Sequence, residues 1–254
     1  MSKLSVVIAT KNEEKNIRSC LESVKWADEI IVVDDKSADR TVEITREYTD
    51  NVILNDSKGV FHVNKNLGIE RASGEWILSI DADERVPPEL ASEIKSLIEE
   101  SDKLGYYVGR KNYFRGKWIR GCGWSPDYII RLFRKGVTKW PLEVHDVPSI
   151  KDEDKVGYLK NPLTHKTVVS LKQYSDKFAQ YTTKLAQEEY DKGTRITAAN
   201  FLFLFVVKPV GWFVRKYFVM RGYVDGFSGL FISFSSGLVI FVTHAKLLKK
   251  QNKT

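Results

Sequence analysis

Cysteine is scarce: Cys20 and Cys122 are the only two in 254 residues. Two thiols make neither a disulfide framework nor a zinc set, and they are compatible with a reducing compartment. The first strand-like run is not followed by Gly-x-Gly-x-x-Gly, and no Gly-Lys-Ser/Thr occurs anywhere. Dinucleotide binding through a glycine fingerprint and ATP hydrolysis through a phosphate loop are therefore disfavoured, and a nucleotide would have to be gripped by side chains. No basic stripe interleaved with stacking aromatics is present, so no nucleic-acid partner is expected. Met1-Ser2-Lys3 runs straight into Leu4-Ser5-Val6-Val7-Ile8 without a signal-peptide hydrophobic region, so the part of the chain that does the chemistry is expected to stay in the cytoplasm.

What the chain does have is an ordinary apolar fraction, 43%, and a length suited to one large α/β domain with an appendage. Forty Lys and Arg against thirty-three Asp and Glu give a net +7, with the excess near 108–139 and in the last sixty residues. That balance suits anionic substrates or an anionic membrane face. Apolar β-rich runs at Leu4 to Ile8, Glu29 to Val33, Val52 to Leu54 and Trp76 to Ile80 alternate with helical patterns through Ile17–Val24, Thr41–Ile44 and Lys65–Ala72. The alternation predicts a mostly parallel, Rossmann-like sheet flanked by crossover helices, with ligands at the carboxyl ends of its strands. Thr10, Glu13, Asp35, Asp81 and Asp83 all fall at such ends.

The run Trp76-Ile77-Leu78-Ser79-Ile80-Asp81-Ala82-Asp83-Glu84 ends in acid. Strand alternation would aim Asp81 and Asp83 to one side, where two carboxylates are costly unless a cation sits between them. A hard divalent ion that bridges a diphosphate fits, and it predicts a nucleotide-linked substrate. The plainer alternative is a solvated turn that caps a helix starting near Pro87.

The chain resembles the family 2 glycosyltransferases, inverting enzymes with the nucleotide-sugar-binding fold called GT-A. The resemblance rests on VVIATKNEEKNI at 6–17, VVDDKSADRT at 32–41, KNLGIERASGEWILSIDADE at 65–84 and SPDYIIRLFR at 125–134, in that order. It implies that Thr10 and Glu13 hold the nucleotide base and ribose and that Asp35 hydrogen-bonds uracil. It also implies that Asp81 lies near ribose and metal, with Asp83 the direct ligand to Mg²⁺ or Mn²⁺. Lys65 stands where the family often has Arg; a cation there would meet the diphosphate without bidentate geometry.

An inverting transfer needs a carboxylate to take the acceptor hydroxyl proton. Of the candidates Asp127, Glu143 and Asp146, the resemblance makes Asp127 the base and Asp146 its rival, with Arg131 supporting the diphosphate or the loop. His145 is a further candidate metal ligand through neutral imidazole. His165 either closes the donor loop or starts the next helix. Residues 104–115 alternate aromatic and basic groups, as a strand and loop facing an acceptor or as a half-buried strand with a basic outer face.

The domain reading is a catalytic region over 1–168, with donor half 1–100 and acceptor half 101–168, followed by a helical, membrane-associating region over 169–254. Gly226 to Thr243 carries no charge over eighteen residues, but its four Ser and three Gly put it at the lower limit of a spanning helix. Lys208, Arg215, Lys216 and Arg221 interrupt the neighbouring apolar groups at intervals suited to helices lying in the interface, on the inner face of the plasma membrane. A helical core appendage or a homo-oligomer contact would use the same residues. The resemblance implies hexose transfer from a UDP-sugar, UDP-glucose in the nearest subgroup, onto a membrane-bound glycan or glycolipid such as lipopolysaccharide core. Polyprenyl phosphate is the alternative acceptor, and a catalytically silent nucleotide-sugar-binding scaffold is the alternative from another class.

Overall fold

The computed structural model describes residues 3–141, 147–168 and 170–252. These divide into two compact units, one within Met1–Lys111 and Asp127–His165, the other within Asn112–Pro126 and Lys166–Thr254. The first opens with β1 (Leu4–Thr10), which passes through α1 (Ile17–Val24) to β2 (Glu29–Asp34). A short α2 (Thr41–Thr45) leads to β3 (Val52–Leu54), and α3 (Phe61–Arg71) returns the chain to β4 (Trp76–Asp81). The four strands lie parallel in the order β3-β2-β1-β4. Both faces are covered, which explains why the strands read as continuous apolar runs instead of alternating ones. Leu4, Val6, Ile8, Leu78 and Ile80 pack beneath Ile17, Leu21, Leu90 and Ile94. Val7, Ile31, Val33 and Ile77 face the other way, toward Ile69 and Ala72.

The third helix begins four residues ahead of the expected Lys65. Its first turn has no side-chain cap, but Asn66 donates to the Trp140 carbonyl at 2.8 Å and the His62 ring contacts the Pro141 carbonyl. Tertiary contacts thus extend the helix beyond its local signal. A Cβ on Gly68 would sit 2.4 Å from Val7 Cγ1, so glycine there lets α3 settle directly on β1.

Beyond β4 the sheet departs from the parallel plan. After β5 (Glu84–Arg85) and α4 (Pro88–Glu100) come β6 (Gly105–Phe114), β7 (Lys117–Trp118) and β8 (Tyr128–Arg134), then β9 (Val156–Tyr158) and β10 (Leu163–Val168). β8 inserts antiparallel between β4 and β6. No helix separates β6 from β8, and a parallel pairing needs a crossover that this short connection cannot supply. The result is a mixed sheet, parallel over β3-β2-β1-β4 and largely antiparallel beyond. α4 starts at Pro88 with Pro87 at its N-cap, so the Asp81-Ala82-Asp83-Glu84 turn does not cap it.

In the second unit, Phe114, Ile119, Cys122, Val168 and Ile232 form a small core with Trp124, Tyr174 and Phe231. Its helices are α5 (Leu171–Asp191), α6 (Ala198–Leu202), α7 (Lys208–Val214) and α8 (Gly226–Gln251), with π-helical turns over Phe203–Val207 and Arg215–Val219. Pro209 sits just after the first π-helical turn, where the regular i→i−4 ladder is already interrupted, so its missing N–H is tolerated. Two stretches, Ala198–Val219 and Gly222–Gln251, are long and apolar enough to cross a membrane by length and composition. Their outer faces expose Leu202, Val207, Val219 and Phe227 among others, the last two at 73% and 80%.

Candidate active site

Strand register gathers the polar ends on one edge: Thr10 pairs with Asp34, and Ala9 with Asp81. Just past β1 and β2, Asn12 and Lys36 adopt left-handed backbone with φ of 54° and 56°. Asn tolerates this conformation better than Lys does. The two loops are laced together. Asn12 N–H donates to Ser37 Oγ at 2.7 Å, Ala38 N–H to Asn12 Oδ1 at 2.8 Å and Glu13 N–H to Thr41 Oγ1 at 2.8 Å. Glu13 also accepts from Asn16 Nδ2 at 2.7 Å.

Asp35 lies buried in this edge. It accepts the Ser57 N–H at 2.7 Å and the Lys11 ammonium at 2.9 Å, while its own N–H donates to the Thr10 carbonyl. Burial alone would raise the carboxyl, but Lys11 and the Ser57 N–H overcome it and bring the pKa down to about 2. Around it the Ser57 and Asn64 side chains also lean on the carboxylate and help to lower it, while Thr10 Oγ1 is buried without a hydrogen-bond partner among the described residues. Buried polar atoms are nearly always paired. The unpaired Thr10 hydroxyl in this nest of polar groups, beside a carboxylate held ionised at a strand end, therefore marks a place suited to a polar ligand.

Next to the nest runs a ladder of alternating charge. Lys65 meets Asp81 Oδ1 at 2.6 Å, Asp81 Oδ2 meets Arg131 at 2.8 Å, and Arg131 meets Glu84 Oε1 at 2.6 Å. Glu84 continues to Arg110 at 3.3 Å, and Arg110 ends on Asp127 Oδ2 at 2.8 Å. Burial opposes the charge on Asp81, yet Lys65 and Arg131 outweigh it and hold the carboxyl well below the ordinary range. Burial likewise pushes the Lys65 ammonium down, with Asp81 opposing. Trp140 floors the ladder. Its ring lies 3.7 Å from Lys65 Nζ, and its Nε1–H donates to Ser79 Oγ.

Asp83 leaves the strand before alternation can act on it, because β4 ends at Asp81 and the next two residues turn. Arg85 fixes that turn by donating to the carbonyls of Ala82, Glu84 and Asn16. The antiparallel pairing of β5 with β10 sets His165 opposite Glu84 and brings its Nε2 to 3.4 Å from Asp83 Oδ2. Burial lowers the imidazole pKa, and the hydrogen bond and charge of Asp83 more than reverse it. A carboxylate oxygen beside an imidazole nitrogen, in a turn held by Arg85, fits part of the donor set of a divalent ion whose other ligands are phosphate oxygens and water. Among the described residues no group of three His, Cys, Asp or Glu side chains is poised to hold a metal by itself.

All described candidates thus lie in the first unit: Thr10, Glu13 and Asp35 at one end of the edge, Lys65, Asp81 and Arg131 in the ladder, Asp127 at its far end and Asp83 in the turn. Glu143, His145 and Asp146 lie outside the described residues. Sequence reasoning overlooked Glu84, Arg110, Ser57, Asn64 and Trp140, and it gave His165 no partner. Glu84 carried a signal, since it completes the acidic run. The others are brought in by sheet register and helix packing, which no local pattern announces.

The family described as Glycosyl transferase family 2 matches residues 5–150. An uncharacterized glycosyltransferase of Rickettsia typhi is 30% identical over 268 residues, covering 99% of this chain and 90% of that protein. The lipopolysaccharide core biosynthesis glycosyltransferase LpsC of Rhizobium meliloti is 27% identical over 259 residues, with 97% and 92% covered. Among solved structures, S. aureus TarS 1-349 in complex with UDP superposes with a TM-score of 0.51 at 16% identity, covering 99% of this chain and 92% of that one. At that identity the likeness shows the fold alone. With more than half of its length matched and the four motifs gathered on one edge of the sheet, the chain belongs to glycosyl transferase family 2.

Proposed function

We propose that this glycosyltransferase moves a hexose from a UDP-sugar, with inversion, onto a glycan or glycolipid at the cytoplasmic face of a membrane. UDP-glucose is the donor and lipopolysaccharide core the acceptor class. The nest around Asp35 carries the donor half of this reading: the unpaired Thr10 hydroxyl and the ionised Asp35, with the Ser57 and Asn64 side chains turned toward its carboxylate, offer polar groups to a uracil ring, and Glu13 follows on the loop after β1. Similarity to LpsC along almost the whole chain supports the acceptor class.

Lys65 and Asp81 serve the ribose and diphosphate; Asp81, held by the buried Arg131, in turn holds Lys65. Asp83 and His165 would hold Mg²⁺ or Mn²⁺, with Asp81 nearby. When bound, such an ion draws charge from the departing diphosphate. Asp127 takes the proton from the acceptor hydroxyl as that oxygen bonds to the anomeric carbon, and the bond from carbon to the UDP oxygen breaks on the opposite face. Arg110, through Nε and Nη2 on one carboxylate oxygen, fixes the orientation of the base. A phosphate acceptor would have no need of a carboxylate clamped in this way, so a hydroxyl acceptor is favoured. The exposed apolar face of α6 to α8, with Lys208 and Arg215 among its residues, lies in the membrane interface.

The test is release of UDP from a panel of UDP-sugars in the presence of membrane glycolipid, with linkage analysis of the product. Asp127→Asn should lower kcat by roughly 10²–10⁴-fold while UDP affinity stays unchanged. Full turnover by that variant would remove the base and favour a phosphate acceptor. Donor binding with no turnover for any acceptor would leave a scaffold.

A further inference from the structure

The second unit contains a cavity of about 560 Å³ whose lining includes Arg120, Gly123, Ser125, Pro126, Met220 and Arg221. Its walls are two chain segments locked together by backbone. Cys122 N–H donates to the Met220 carbonyl at 2.8 Å, and the Lys216 ammonium donates to the Cys122 carbonyl at 2.8 Å. A Cβ on Gly121 would lie 2.2 Å from the Arg221 carbonyl oxygen, so only glycine permits this approach. The walls are preformed.

Two arginines set the charge of this cavity. Arg120 and Arg221 are exposed, and among the described residues neither side chain has a hydrogen bond or ion pair. Asp225, next in the chain to the lining residue Val224, is buried and spends its carboxylate on the backbone N–H groups of Arg120 and Gly121. The guanidinium groups are thus left for an anion, and Arg presents the fork that suits phosphate. The rim is apolar: Val219 and Val224 also line the cavity, and Val219 is 73% exposed. A ligand that satisfies both features carries a phosphate next to a hydrocarbon. Ser125 and Pro126, on the lining, immediately precede the candidate base Asp127 in the chain.

We infer that this cavity binds the phosphate of a lipid headgroup, with the two arginines on the phosphate and the acyl chains along the Val219 rim. It anchors an amphiphilic acceptor by a group that takes no part in the transfer. The inference rests on the proposed membrane-bound acceptor, but its test is independent of turnover.

Binding of the full chain to phosphatidylcholine vesicles is compared with binding to vesicles that also contain phosphatidic acid, and UDP binding is measured alongside. The wild type should prefer the phosphatidic acid vesicles. R120A/R221A should lose that preference, roughly ten-fold or more, while phosphatidylcholine and UDP binding stay unchanged. The charge-matched K172A/K192A should keep it. Retention of the preference by R120A/R221A, or an equal loss in K172A/K192A, overturns the site in favour of diffuse surface charge. Competition by inorganic phosphate that releases the protein from both kinds of vesicle equally also overturns it. If the wild type turns over no UDP-sugar yet shows the arginine-dependent preference, the proposed function fails and the phosphate site stands.

Discussion

The two units treat charge in opposite ways. In the first, Lys65, Asp81, Arg131, Glu84, Arg110 and Asp127 alternate in sign, and each charge touches the next. In the second, Arg120 and Arg221 have no acid partner among the described residues, while Val219 and Phe227 stand open to solvent. A buried charge must be compensated within the fold, because desolvation is severe. Exposed cations and exposed apolar side chains carry no such demand, and a large patch of both marks a surface whose partner is external. The first unit is therefore set for precise positioning and the second for attachment. Substitutions should separate them by whether stability or binding is lost.

The largest effect is expected at the middle of the ladder. Glu84 is fully buried, accepts from Arg131 and Arg110, and accepts the Asp81 N–H at 2.9 Å. Glu84→Ala should destabilise the protein by about 3–5 kcal/mol in chemical denaturation, because Arg131 is left buried with one carboxylate fewer. Glu84→Gln, which keeps the shape and removes the charge, should lose much of the same stability if pairing is the cause. A Glu84→Gln variant as stable as wild type would show that packing, not charge, is at stake there.

A smaller effect belongs to Asp35, whose carboxyl is lowered from an ordinary 3.8 to about 2 in the fold. A depressed carboxyl stabilises above its unfolded pKa and loses that stabilisation as pH falls through the folded one. With its side chain only 3% exposed, the shift is worth about 2 kcal/mol near neutral pH. Asp35→Asn should be less stable than wild type by about that amount at pH 7, and the gap should close between roughly pH 4 and pH 2. A gap that persists unchanged at pH 2 would mean that the lost contacts are independent of ionisation.

The sequence disclosed the parallel half of the sheet far better than the rest. Strands β1 to β4 are apolar on both faces and end in polar turns, so their place and the polarity of their edge were legible from Leu4 to Asp81. The antiparallel side was not, because β8 joins β4 through pairings between residues more than fifty positions apart, such as Trp76 with Arg134. The same distance hid the partners of Asp81. A lone acid at a strand end looks uncompensated until α3 and β8 deliver Lys65 and Arg131. Asp83 was expected to share its direction, and the turn at Ala82 sends it instead to His165 on β10.

The smallest change in stability is expected where apolar surface is greatest. Phe227, in the first turn of α8, is 80% exposed and belongs to none of the hydrophobic clusters. Removing a side chain that buries little takes little from the folded state, so Phe227→Ser should shift denaturation by less than about 0.5 kcal/mol. It should nonetheless weaken partition onto phosphatidylcholine vesicles, since an aromatic side chain contributes buried area in the interface. Sedimentation supplies the contrast. A wild type that is oligomeric without lipid, and that Phe227→Ser dissociates, would assign this face to a second copy of the chain. A monomer that loses only vesicle binding keeps it for the membrane, because an apolar face that adds nothing to folding must be relieved of water by something outside the fold.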